Sequence, residues 1–277
     1  MNLYDTTNFK CSKLITRHYS TSFSLGIKSL DKKFHYPIYA IYGFVRFADE
    51  IVDTFHDYNK GDLLERFKED ALRAIDEKIS LNPVLHSFQN IVNKYHIEES
   101  LILAFIKSME MDLHYQDYKA DKYDEYIFGS AEVVGLMCLR VFCEGDENLY
   151  QRLKQPAQKL GAAFQKVNFL RDIKSDFQER GRVYFPGVDF QNFDCQSKRL
   201  IENDIQKDFD DAYQGIIGLP KGSRLGVYLA YIYYLKLFKK IKSCPATKIM
   251  EGRIRIPDNL KFALLVKTYF KHQFNFL

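Results

Sequence analysis

No tryptophan occurs in the 277 residues, so the 15% of aromatic side chains are all Tyr or Phe. Glycine-rich phosphate loops of the P-loop or dinucleotide type are missing, which removes the common nucleotide-binding motifs. Alternating strand patterns are scarce, and fourteen glycines with seven prolines suit helices joined by short connections. The five cysteines (Cys11, Cys138, Cys143, Cys195, Cys244) are odd in number and form no CxxC pair. Free thiols in a reducing cytoplasm are therefore expected, and no spacing supports a catalytic Cys/His pair. The start, Met1-Asn2-Leu3-Tyr4-Asp5, lacks the apolar core of a signal peptide. No stretch offers ~18 clean apolar residues, so no membrane-spanning helix is expected. There is no low-complexity linker and no internal sequence repeat.

What the chain does have is apolar substance at helical spacing. Hydrophobic residues make up 46%, enough for a substantial core. Apolar periodicity predicts helices near 8–24, 35–57, 62–78, 83–95, 98–118, 124–144, 148–180, 197–216, 221–242 and 258–273. The stretch 124–144 is apolar nearly all round and is expected at the centre. Gly181 and Pro186 bracket Arg182-Val183-Tyr184-Phe185, which predicts a loop closing the end of the 148–180 helix. The expectation is a single all-α domain over residues 1–277.

Two acidic stretches stand out. Asp49 and Asp53 lie four residues apart in one, Asp172 and Asp176 in the other. On a helix each pair shares a face about one turn apart. Asp53, Asp49, Arg46, Tyr42 and Tyr39 form one stripe, flanked by Ile38, Ile41, Phe44, Val45, Ala48, Ile51 and Val52. Gln165, Asn168, Asp172 and Asp176 form another, beside Phe164, Val167 and Leu170. Two unrelated solvated faces remain an alternative, but such faces normally interleave Lys and Glu, and these interleave apolar residues. Buried unpaired carboxylates are costly. Carboxylates with an Asn amide are hard-cation ligands, suited to Mg²⁺ rather than zinc.

Charge is distributed unevenly. The net charge is +4, yet residues 221–277 carry twelve Lys/Arg against Glu251 and Asp258, leaving the remainder at net −6. Solvated helix faces, an anionic membrane surface and diphosphate recognition all fit a basic end. Nucleic acid does not, since no recognition motif accompanies the charge.

The acidic stretches also carry a resemblance. Asp49-Glu50-Ile51-Val52-Asp53 resembles the first DxxxD motif of the squalene/phytoene synthase family. The run from Gln165 to Asp176, followed by Gly181-Arg182-Val183-Tyr184-Phe185-Pro186, is similar to its second signature. Ser20-Thr21-Ser22-Phe23, Met109-Glu110-Met111-Asp112-Leu113 and the stretch from Tyr126 to Gly135 resemble further family segments in order and spacing. Fainter echoes lie at Tyr233 and at Arg253-Ile254-Arg255-Ile256-Pro257.

The resemblance implies an isoprenoid-synthase helical bundle with a central apolar cavity, joining two prenyl diphosphates head to head. It implies Mg²⁺, with Mn²⁺ as a substitute, on Asp49, Asp53, Asn168, Asp172 and Asp176. Arg46, Arg171, Arg253, Ser20, Thr21 and Ser22 would contact diphosphate. Tyr42, Gln165 and Tyr233 would line the site and handle a cyclopropyl intermediate. The expected product is phytoene from two geranylgeranyl diphosphates. Squalene or dehydrosqualene from farnesyl diphosphate is the nearest alternative, with NADPH needed only for squalene. A non-catalytic assembly factor on the same fold, a head-to-tail prenyltransferase and a cyclising terpene synthase rank lower. A cytoplasmic protein with peripheral membrane contact is expected. Ser130, Glu132, Lys166 and Ser175 depart from the family pattern, and each is expected to face either solvent or a partner helix.

Overall fold

The computed structural model describes residues 2–113, 120–174, 184–188 and 193–256. Among them every regular element is helical. Asn2 caps α1 (Leu3–Tyr19) through a capping box with Asp5, and Ser20 caps α2 (Thr21–Lys28) by accepting from the Phe23 amide. The helix expected over 8–24 is thus two helices, because an extended Ser20 satisfies amides that a continuous helix would bond internally. Next come α3 (Lys32–Asp53), α4 (Lys60–Glu77), α5 (Pro83–Tyr95) and α6 (Glu99–Leu113).

The central stretch runs as α7 (Ala120–Ile127), a π turn (Phe128–Glu132) and α8 (Val133–Cys143). Then follow α9 (Glu147–Lys174), α10 (Cys195–Gly218), α11 (Lys221–Lys242) and α12 (Ala246–Glu251). Residues 221–242 match the expected boundaries, and α12 was not foreseen. Residues 114–118 and 175–180, the ends of two expected helices, and the whole of the helix expected over 258–273 lie outside the described residues.

Lys122–Cys143 is long and apolar enough to cross a membrane by length and composition, although charged residues interrupt it, and the sequence predicts it as a central buried helix. Its Val133, Leu136, Met137 and Val141 are fully buried and it packs between α6 and α9, which makes it the bundle's core helix.

Two apolar clusters build the interior. One gathers α1 to α6 and α8, centred on Phe44, whose ring stacks on Phe88 with centroids 3.9 Å apart. The other gathers α7, α10, α11 and α12 around Phe209 and Phe238. α9 contributes to both: Tyr150 and Leu153 to the first, Val167, Leu170 and Ile173 to the second. Close crossings seat it. A side chain on Gly161 would meet the Ala131 carbonyl at 2.6 Å, and one on Gly215 of α10 would meet the Pro156 ring at 2.3 Å. A cavity of about 810 Å³ lies along the seam between the clusters.

Candidate active site

The cavity mouth lies where the C-terminal ends of α3 and α9 meet the break between α1 and α2. From α3 the stripe Tyr42, Arg46, Asp49 and Asp53 lines it, while Tyr39 is turned away into the core. From α9 come Gln165, Asn168, Arg171 and Asp172. Ser20 and Ser22 complete one edge, and Tyr233 with Arg253 another. Thr21 corrects the expectation: it is exposed and does not line the cavity. With Ser20 as the cap, Ser22 falls on the inner side of the first turn and Thr21 on the outer. Asp176, with Gly181, Arg182 and Val183, lies outside the described residues.

The two acidic faces differ in charge. Asp49 lines the cavity and is 34% exposed. Burial pushes its pKa up to about 7; Arg46 opposes this, and Asp53 and Asp112 add to it. Arg46 is held mainly by Glu50 and sits 3.8 Å from Asp49. Its guanidinium lies 4.2 Å from the centroid of the Tyr19 ring. The Arg46 Nε is buried with no acceptor among the described residues. Burial also moves Tyr42 up to about 12.

On α9 the carboxylate already has cations. Arg171 donates Nε to both Asp172 oxygens at 3.0 and 3.1 Å, and Nη2 at 2.5 Å. Arg253 adds an ion pair at 2.9 Å. Burial works against the Arg171 charge, but its bonds to Asp172 prevail and hold its pKa above the usual value. Arg253 moves the other way, through burial and repulsion from Arg171.

Three participants were not assigned roles from sequence. Asp112 of α6 is buried and accepts from the Tyr126 hydroxyl at 2.8 Å, close enough to Asp49 to raise its pKa. It stood inside the quoted 109–113 segment, so a signal existed. Tyr126 reaches the cavity just before the π turn, and π turns often mark functional sites. Tyr234 donates to Asn168 Oδ1 at 3.3 Å and stacks on Phe164 at 4.0 Å. The adjacent Tyr233 had drawn the attention.

The departures from the family pattern are also placed. Lys166 is buried against α10, 2.5 Å from Asp204 and 2.7 Å from Asp208. Glu132 accepts from Gln158 at 3.1 Å, with burial raising its pKa. Ser130 lines the cavity. Ser175 lies outside the described residues.

Could this mouth hold a divalent cation? Asp49, Asp53 and Asp112 line one side, where Arg46 is shared between Asp49 and Glu50. Asp172 and Asn168 supply oxygen donors opposite. Among the described residues no cluster of three or more Asp, Glu, His or Cys is spaced to cage a metal alone. A Mg²⁺ site needs only one or two carboxylates, with phosphate and water completing the shell. Below the mouth the walls turn apolar, through Val134, Leu139, Phe142, Leu153 and Leu219. From Asp172 to Leu153 along α9 is about 28 Å at the helical rise.

Known proteins resemble this chain in sequence and in fold. The sequence model of squalene/phytoene synthases matches residues 16–258. A 4,4'-diapophytoene synthase of Staphylococcus haemolyticus is 25% identical over 208 residues, covering 73% of this chain and 70% of that one. The chloroplastic phytoene synthase 1 of Solanum lycopersicum is 25% identical over 261 residues, 87% of this chain; the chain spans 61% of its length. The crystal structure of a dehydrosqualene synthase in complex with ligand superposes with a TM-score of 0.83 at 21% identity, covering 96% and 98% of the two chains.

Proposed function

Because the chain belongs to the squalene/phytoene synthase family, whose members are prenyltransferase-type enzymes that condense prenyl diphosphates head to head, we propose that it joins two geranylgeranyl diphosphates into phytoene. One observation carries this: Asp49 and Asp53 face Asn168 and Asp172 across the polar mouth of an otherwise apolar cavity. When bound, Mg²⁺ would neutralise the diphosphate and make it a better leaving group. Asp49, Asp53, Asn168 and Asp172 would supply its oxygen donors, and Mn²⁺ would serve in its place.

The protein's own groups do the rest. Arg46, which lines the mouth beside Asp49, would bind a departing diphosphate oxygen. Arg171 and Arg253 swing from Asp172 to the phosphates, and Ser20 and Ser22 donate hydroxyl bonds. As the C–O bond breaks, its electron pair leaves with diphosphate. The allylic cation left behind sits among Phe164, Tyr233 and Tyr234, whose ring faces stabilise positive charge and exclude water. The second substrate's double bond then attacks; loss of a proton closes a cyclopropylcarbinyl diphosphate. That species ionises in turn, rearranges, and loses a proton to give phytoene.

The alternative is condensation of two farnesyl diphosphates to squalene or dehydrosqualene, supported by the diapophytoene synthase relative. NADPH enters only for squalene. An assembly factor of the same fold fits less well, because the described aspartates are all in place. The reading sets the enzyme in the cytoplasm. The test incubates it with Mg²⁺ and either diphosphate, with and without NADPH, and identifies the hydrocarbon by mass. Asp49→Asn and Asp172→Asn should each abolish turnover and keep the helical circular-dichroism spectrum. Unchanged turnover in both would sink the assignment.

A further inference from the structure

Asn168 differs from the carboxylates around it, because only one of its two amide ends can meet a cation. The carbonyl oxygen has lone pairs to give, and the NH₂ group only donates. An Asp ligand presents oxygen whichever way it turns. An Asn ligand works only while something holds its oxygen in place, a task that falls to the hydrogen-bond partners of a ligand.

A neighbouring helix supplies such a partner. Tyr234 of α11 donates its hydroxyl to Asn168 Oδ1 at 3.3 Å, while Gln165 Oε1 accepts from Asn168 Nδ2 at 3.5 Å. Together the two contacts select one rotation of the amide. Reversing it would set two carbonyl oxygens, Oδ1 and Gln165 Oε1, against each other. At 3.3 Å the hydroxyl bond is longer than the usual ~2.8 Å. It orients the oxygen without claiming it, since a carbonyl has a second lone pair for another partner. The hydroxyl is itself held in place. Tyr234 is buried, and its ring stacks on Phe164, one turn before Asn168 on α9, with centroids 4.0 Å apart and planes 16° apart. Tyr233 meets it edge to face at 5.5 Å. Phe164, Gln165, Asn168 and Tyr234 all line the cavity.

We propose that Tyr234 is a positioning residue: its hydroxyl keeps Asn168 Oδ1 turned as a neutral oxygen donor for the divalent cation that grips diphosphate. This rests on the proposed reaction for the cation and its site. The role belongs to the hydroxyl alone and is separate from the ring face that shelters the allylic cation.

The test measures Mg²⁺ binding to the full chain by calorimetry, with inorganic diphosphate present and no prenyl substrate. Tyr234→Phe keeps the ring and should weaken Mg²⁺ binding about tenfold, the low end for a lost partner of a metal ligand, in keeping with the long bond. In an Asn168→Asp background the same change should cost less than about twofold, because a carboxylate has no wrong end. A loosened fold would instead weaken binding alike in both backgrounds. Unchanged Mg²⁺ binding by Tyr234→Phe overturns the proposal, as does an equal loss in the two backgrounds. Failure of the parent chain to bind Mg²⁺ with diphosphate removes it together with the cation site. If the coupling holds and neither prenyl diphosphate yields a hydrocarbon, the catalytic reading fails and the positioning role stands.

Discussion

At the scale of single residues, Asp49 is the most informative group. Its pKa of about 7 in the fold exceeds the ordinary 3.8. The sign follows directly: between these values the folded state holds a proton that the unfolded state has lost. Stability from this group is complete below pH 3.8 and is lost as pH rises through 7. Asp49→Asn removes that loss, so in metal-free buffer at pH 8 the variant should melt higher than the parent while lacking turnover. A melting temperature that is lower, or equal at all pH values, would show that Asp49 is not held in a charge-poor wall. That the aspartates of each pair share a helix face was legible in the sequence from their four-residue spacing. Their inequality was not. Arg253 is 81 positions from Asp172, and only folding shows that it and Arg171 pair with that carboxylate, while among the described residues Arg46 is the cation beside Asp49. Thr21 was overread for a similar reason: a run of hydroxyls does not say which one caps.

At the scale of elements, the register of α9 decides whether its polar face meets α3. Lys159 and Lys166 lie two turns apart on the opposite face and both reach Asp208 of α10, at 3.2 and 2.7 Å. Replacing one partner of a buried pair leaves the other uncompensated. Lys166→Met should cost about 2–4 kcal/mol, below the usual range because Lys159 still serves Asp208. Adding Asp208→Leu should recover most of it, and a double-mutant cycle by urea unfolding measures the coupling. Gly161→Ala tests the other side, where the new methyl would press on the Ala131 carbonyl. A loss of about 1–3 kcal/mol is expected from such overpacking. Periodicity revealed nearly every helix, and α11 to the residue. It missed the break at Ser20 and the π turn, because both are backbone events set by a cap and by packing against α6 rather than by the apolar pattern.

At the scale of the whole molecule, an apolar seam with a polar mouth ties ligand binding to global stability. Mg²⁺ together with inorganic diphosphate should raise the melting temperature, by an amount equal to about 2.7 kcal/mol at a hundredfold excess over the dissociation constant. In Asp172→Asn the rise should disappear; an undiminished rise would place the anion site elsewhere. The all-α architecture was legible from composition and periodicity. The cavity's volume and the aromatic rim around its mouth were not, since they arise between helices far apart in sequence.

The course of α9 through both apolar clusters has a consequence for amide exchange. A helix of 28 residues that supplies core side chains to each half cannot open in one half without stripping contacts from the other. Its central amides, around Gly161 and Ala162, should therefore exchange only through global unfolding, as one cooperative unit, while the ends of α4 and α12 exchange through local fraying. The residues that grip the substrate would then ride on the slowest-exchanging segment of the chain.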